Sequence, residues 1–266
     1  MIDFRKWKKQ RRLRRAEQRR RDPSSYPTDM RRDVVETIAA VCPFTMTSTE
    51  RLHGLCEAVR YVSETGIEGD IVECGVWRGG SMMAVAKMLA SCGDFQRDLF
   101  LFDTFEGMSE PTENDVDNRG NTAADQLESE DPNDPKSVWC VSSLDEVRTN
   151  MATTGYPTAK THFIVGKVED TIPQTLPEKI SLLRLDTDWY ESTRHEMEHL
   201  FPRLADGGVL IIDDYGHWEG ARRAVDEYFE QHGIHMMLNR LDYTGRIGIK
   251  HVGMNSFSTE SRRAVA

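Results

Sequence analysis

The chain has 266 residues, 38% of them hydrophobic, and no apolar run near the ~18 residues that a membrane helix needs. That length supports one large core, or a domain with an extension, and a mean hydropathy of -0.57 with 29% charged residues leads us to expect a soluble protein. The net charge of -10 is uneven: residues 1–22 hold eleven Lys/Arg against three Asp/Glu, so a basic leader precedes a strongly acidic body.

The leader has the charge to bind nucleic acid or an anionic membrane, and it is Arg-rich like a transit peptide. It lacks the apolar core of a secretory signal, and a solvated arm packing on a partner subunit is the favoured expectation. Nucleic acid and membrane are not expected partners. Cys42, Cys56, Cys74, Cys92 and Cys140 are odd in number and contain no CxxC pair. They imply reduced thiols in a cytoplasmic setting and no cysteine zinc site.

Pro/Ser punctuation at 21–30 ends a basic extension over 1–30. Residues 31–41 read as a short amphipathic helix. A second follows, capped by Ser48 or Thr49, with Leu52, Leu55, Val59 and Val62 at helical spacing and Gly66 as its stop. These two form a helical segment over 31–69. From there strands and helices alternate through a domain over 70–256, with a tail at 257–266. The strands are expected at Asp70–Val76, Leu99–Asp103, His162–Val165, Ser181–Leu185 and Val209–Ile212. The helices are expected at Ser81–Cys92, near Ser143–Thr153, at Ser192–Leu204 and at Trp218–His232. Ile234–Leu241 and Arg246–Val252 read as a hairpin across Asp242–Gly245. The pattern implies an α/β fold: a mostly parallel sheet, helices on both faces and a terminal antiparallel strand. Residues 109–140 are polar, acidic and turn-rich, and a loop of that length is usually functional or disordered. Trp139 within them implies that part of this lid-like insertion docks on something.

In such sheets ligands bind beyond the carboxyl ends of the strands. The first end reads VECGVWRGGS: Glu73, then Gly75, Gly79 and Gly80, then a helix opening at Ser81. Glycines there let a ligand approach the backbone, and the helix N-terminus favours an anionic group. The spacing is not GxGxxG, which argues against a dinucleotide; it fits the looser E-x-G-x-x-x-G of an S-adenosylmethionine loop. Asp103 ends the next strand, placed to accept hydrogen bonds from a ribose diol, or else to cap a turn. Val168, Glu169 and Asp170 are placed to frame an adenine ring, although Asp170 is equally a helix cap. Asp186, Asp213 and Asp214 converge if their strands are neighbours. Two unit charges ~4 Å apart repel by about 4 kcal/mol at an effective dielectric of 20, so three carboxylates need a proton or a cation. Oxygen-only ligands suit Mg²⁺. Each Asp can alternatively cap its own turn. His217 is placed to bind substrate, act as a base or cap the following helix.

Together the stretches PFTMTSTERLHGLCEAVRYV, GDIVECGVWRGGSMMAVA, LFLFDTFEGMSEPTENDVD, LRLDTDWYEST and GGVLIIDDYGHWEGARRAVDEYF resemble the macrocin O-methyltransferase family. The likeness runs from about Pro43 to Val252. It implies a class I methyltransferase (Rossmann-like) fold with a seven-stranded sheet, S-adenosylmethionine, Mg²⁺ and a hydroxyl acceptor, often on a sugar of a natural-product glycoside. It also implies a dimer or larger assembly. On that resemblance Glu73, Gly75 and Ser81 lie near the methionine portion of the cofactor, Asp103 holds the ribose, and Thr45, Met46 and Thr47 close over its amino-acid end. Asp186, Asp213 and Asp214 are the implied metal ligands and 109–140 the lid over the acceptor.

A metal-bound sugar hydroxyl would lose its proton to Asp186, with Asp188 or His217 as alternatives. Two rival functions share these residues. One is a cation-dependent methyltransferase of a catechol or other phenol; the other is a non-catalytic cofactor-binding protein whose leader binds nucleic acid.

Overall fold

A computed structural model describes residues 18–251 other than 133, 135 and 136. The basic leader through residue 17, the strand end expected at Val252 and the tail 257–266 lie outside the described residues.

Among the described residues, seven strands form one sheet in the order β3-β2-β1-β4-β5-β7-β6. They are β1 (Asp70–Cys74), β2 (Leu99–Asp103), β3 (Thr161–Val165), β4 (Ile180–Leu185), β5 (Leu204–Ile212), β6 (Asn239–Arg240) and β7 (Arg246–Ile249). The first five are parallel, β7 runs antiparallel to β5, and β6 antiparallel to β7. The helices are α1 (Arg32–Val41), α2 (Thr49–Glu64), α3 (Gly80–Cys92), α4 (Ala123–Ser129), α5 (Leu144–Ala152), α6 (Val168–Thr171), α7 (Tyr190–His199) and α8 (Glu219–His232). Ser48 is the cap of α2, its Oγ accepting the Arg51 amide at 3.1 Å.

The period of two in each strand assigns its residues to two cores. Ile71, Leu101, Leu182, Val209 and Ile211 pack with α1, α2, α3 and α5. Val72, Phe102, Leu183, Leu210 and Ile212 pack with α6, α7 and α8. Both faces are therefore covered, as parallel strands require, and each buried aliphatic side chain contributes about 1.5–3 kcal/mol. Glu73, Arg184 and, beyond the strand end, Asp213 continue the first of these alternations, so they share the face of Ile71, Leu182 and Ile211.

The expected strand at Ile234–Leu241 is only two residues long. Ile234 closes against α8, and the chain then lies across β7, where Met236 and Met237 crowd Gly248. Only Asn239 and Arg240 reach pairing register.

The 109–140 insertion carries its own short helix and a third small core. Ala123, Leu127, Trp189, Trp218 and Ala221 form it, with Met108, Val138 and Trp139 packed alongside. Trp139 Nε1 donates to Leu127 O at 2.9 Å and Trp189 Nε1 to Ser109 O at 3.0 Å. Asp115, fully buried, accepts the Tyr190 amide at 2.7 Å and so ties the insertion to the start of α7. Burial raises the Asp117 pKa, but hydrogen bonds from the Asn121 side chain and backbone and the Arg119 backbone outweigh it, and the value falls to about 2.

Two outcomes follow from this anchoring. A Cβ at Gly220 would stand 2.7 Å from Asp115 Oδ1 and 3.0 Å from Tyr190 Cβ. Gly220→Ala is therefore expected to cost about 1–3 kcal/mol and to speed amide exchange across 112–123 while the sheet stays protected, as read by hydrogen exchange. Asp117 has a folded pKa below its unfolded value, so its contribution is present above pH ~4 and lost as pH falls towards about 2. A tryptophan-fluorescence step in that window is expected in the native chain and absent in Asp117→Asn.

Candidate active site

The strand order reverses between β1 and β4, and ligand sites of open α/β sheets form at that point. A cavity of about 220 Å³ opens there. Its wall includes Gly75, Ser81, Asp103, Val168, Glu169 and Asp186, with Thr45, Met46 and Thr47 across the top. Gly75 has φ +82, and a Cβ there would collide with the Asp186 carbonyl, so glycine permits the two strand ends to meet. Among the described residues, three of the four non-glycine positions with positive φ, Trp77, Cys140 and Asp188, also line the cavity. Strained backbone of this kind, worth about 1–3 kcal/mol each, collects at functional sites.

Asp103 faces the cavity, but its oxygens are largely engaged. They accept the amides of Val76 and Trp77 at 2.7 and 2.9 Å and that of Phe105 at 2.7 Å. Burial raises its pKa while these three amides pull it down, and the net shift is upward. The carboxylate thereby clamps the glycine loop to the end of β2.

The acidic residues fall into two groups. Asp186, Asp188 and Asp214 place one oxygen each within 4.8 Å of one another. Burial, then the repulsion of their carboxylate neighbours, holds Asp186 and Asp188 well above the usual carboxylate range, although Arg184 opposes it at Asp186. Asp214 Oδ2 is buried without a partner. An unpartnered buried oxygen in an all-oxygen set fits a hard divalent cation. Asp213 departs from the expected ligand set of Asp186, Asp213 and Asp214. Its carboxylate turns to the guanidiniums of Arg51 and Arg184, and Asp188 takes its place in the cluster.

Arg184 is the residue that sequence reasoning missed. It lies within the apolar run of β4 and is 2% exposed. It reaches Glu73 Oε1 at 2.5 Å, Asp186 Oδ2 at 2.6 Å and Thr47 Oγ1 at 3.1 Å, besides Asp213. Glu73 stands behind the cavity wall. Burial lifts its pKa to about 7 even against the pull of Arg184, and its Oε2 has no partner. The sequence signal was a charged residue in an otherwise apolar strand, on the same period-two face as Glu73.

Glu169 accepts the Ser192 hydroxyl at 2.7 Å beside the start of α7. His217 does not line the cavity; its Nδ1 is bonded to the Tyr243 hydroxyl and its ring meets Trp218 edge-on. Of the three expected bases, the structure thus brings Asp186 and Asp188 together and leaves His217 outside the cavity lining.

The family model for macrocin O-methyltransferase (TylF) matches residues 3–247. The chain belongs to the macrocin O-methyltransferase family. It is 35% identical over 201 residues to an 8-demethyl-8-(2,3-dimethoxy-alpha-L-rhamnosyl)-tetracenomycin-C 4'-O-methyltransferase of Streptomyces olivaceus, covering 76% of this chain and 73% of that one. It is 31% identical to mycinamicin III 3''-O-methyltransferase of Micromonospora griseorubida, covering 76% of each. Among solved structures, the O-methyltransferase NovP superposes with a TM-score of 0.69 at 28% identity over 88% of both chains. The calicheamicin methyltransferase CalS11, at 16% identity and a TM-score of 0.55 over 86% of this chain and 96% of its own, shares the fold. The protein is accordingly an O-methyltransferase.

Gly75→Ala is expected to cost about 3 kcal/mol or more, because it combines a strained φ with a backbone collision at Asp186. Thermal denaturation reads the loss.

Proposed function

We propose that this O-methyltransferase moves the methyl group of S-adenosylmethionine to a sugar hydroxyl of a natural-product glycoside with the help of a divalent cation. The supporting observation is the convergence of Asp186, Asp188 and Asp214 on the floor of a cavity at the β1/β4 reversal. Similarity to enzymes named for O-methylation of a rhamnosyl-tetracenomycin and of mycinamicin III supports the acceptor class.

Asp186 and Asp214 would hold the cation, and Asp213 could join them only by turning from its two arginines. The cation supplies a lowered pKa for the acceptor hydroxyl, as metal ions do for bound water. Glu73 and Arg184 support the wall on which Gly75 and Ser81 meet the donor's amino-acid end, and Thr45, Met46 and Thr47 cover it. Asp103 orders the loop beside the ribose, and Val168 and Glu169 border the adenine. Asp188 faces the cluster from a left-handed turn and accepts the hydroxyl proton. The acceptor oxygen then bonds to the methyl carbon as its bond to sulfur breaks, leaving S-adenosylhomocysteine. Holding donor and acceptor in line is the protein's main contribution and can supply several kcal/mol.

Asp214→Asn is the deciding variant. Calorimetry is expected to show Mn²⁺ binding lost and S-adenosylhomocysteine affinity within about threefold of the parent, with turnover down at least ~100-fold. EDTA should silence the parent and Mg²⁺ restore it. Full turnover in EDTA would overturn the cation's role; methylation of catechols in preference to demethylated glycosides would overturn the acceptor class.

A further inference from the structure

Arg184 touches four segments at once. Nη1 donates to Glu73 on β1 and to Asp186 past β4; Nη2 donates to Asp213 past β5 and to the Thr47 hydroxyl. From Asp213 the connections continue to Arg51, from Arg51 to Asp242 at 3.0 Å, and from Asp242 to the Ser48 hydroxyl at 2.7 Å. Ser48 follows Thr47 in the chain, so the contacts close into a ring: Thr47, Arg184, Asp213, Arg51, Asp242, Ser48. A second guanidinium holds Thr47 from the other side, Arg20 Nη2 donating to its carbonyl at 2.7 Å. Thr47 is 5% exposed and lines the cavity.

We propose that Arg184 is a positioning residue that couples the Thr45–Thr47 segment, over the cofactor's amino-acid end, to the carboxylates that handle the acceptor. A planar fork with paired Nη hydrogens serves all four acceptors together; an ammonium has three donors on one atom and cannot. When the segment seats, the Thr47 hydroxyl completes the coordination of Arg184 and so holds the same guanidinium that orients Asp186 and Asp213. Donor binding and acceptor-site geometry become one event. The assignment rests on the methyl-donor reading of the cavity.

The test is a double-mutant cycle in the full chain, read by calorimetry with S-adenosylhomocysteine. Arg184→Lys is expected to weaken binding about tenfold and Thr47→Val about fivefold. The double variant is expected to be no more than about twofold worse than Arg184→Lys alone, because Thr47 acts through Arg184. Losses that multiply would overturn the proposal, since Thr47 would then contact the cofactor on its own account. Thr47→Val is also expected to lower kcat at saturating donor at least fivefold, with Thr47→Ser restoring it; an unchanged kcat would equally overturn it. This second arm decides the matter if Arg184→Lys does not fold. A parent chain that fails to bind S-adenosylhomocysteine would instead remove the methyl-donor reading, and the proposal with it.

Discussion

A buried guanidinium among carboxylates organises the carboxyl edge of this sheet. Arg184 is 2% exposed, and a charge so placed costs several kcal/mol unless it is fully paired. Its partners must therefore come to it. Glu73 is brought by the parallel register that sets it opposite Arg184. Asp186 and Asp213 are brought by the turns that follow β4 and β5. Removing any one partner leaves charge without compensation in a dry interior, so the geometry of this edge tolerates little drift.

The excess of acid over base then has a clear location. Arg51 and Arg184 pair with Asp213 and with one oxygen of Asp186, while Asp188 and Asp214 stand beside Asp186 in the acidic cluster. The arginines do more than neutralise: they decide which carboxylates stay open towards the cavity. The same loops that bear these carboxylates continue into Trp189 and Trp218, the edge-to-face pair beneath the insertion. The carboxylates of the site and the seat of the insertion are thus built from the same two turns.

Much of the fold was legible because strands that feed a parallel sheet are short apolar runs bounded by glycine, aspartate and cap residues. Leu99–Asp103 matches residue for residue, and Ser48 caps the helix that its hydroxyl and spacing suggest. The first hairpin strand was not legible, because Met236 and Leu238 read as strand residues while tertiary packing against the second core claims them. Asp213 and Asp214 were indistinguishable by type. Adjacent residues at a strand end face opposite ways, and only the presence of Arg184 on the same face as Asp213 separates them. Counting by twos from Leu182 to Arg184 and Asp186 would have exposed that pairing. His217 had the chemistry of a base, but only the fold reveals that Tyr243 occupies its Nδ1.

The insertion is held at both ends by groups that do not line the cavity: Asp115 against the start of α7, and Trp139, bonded to the Leu127 carbonyl within the insertion, packed on the cluster that contains Trp189 and Trp218. Between those two moorings the chain is exposed and polar along much of its length. Selection on the insertion and selection on the carboxylates of the cavity can therefore proceed almost independently. Substitutions on the outer span leave the charged groups of the cavity in place, whereas a change at either mooring reaches Trp189 or Trp218 at once. Such a partition keeps the insertion apart from the carboxylates of the site, and it marks where a redesigned enzyme of this architecture should be cut and rejoined.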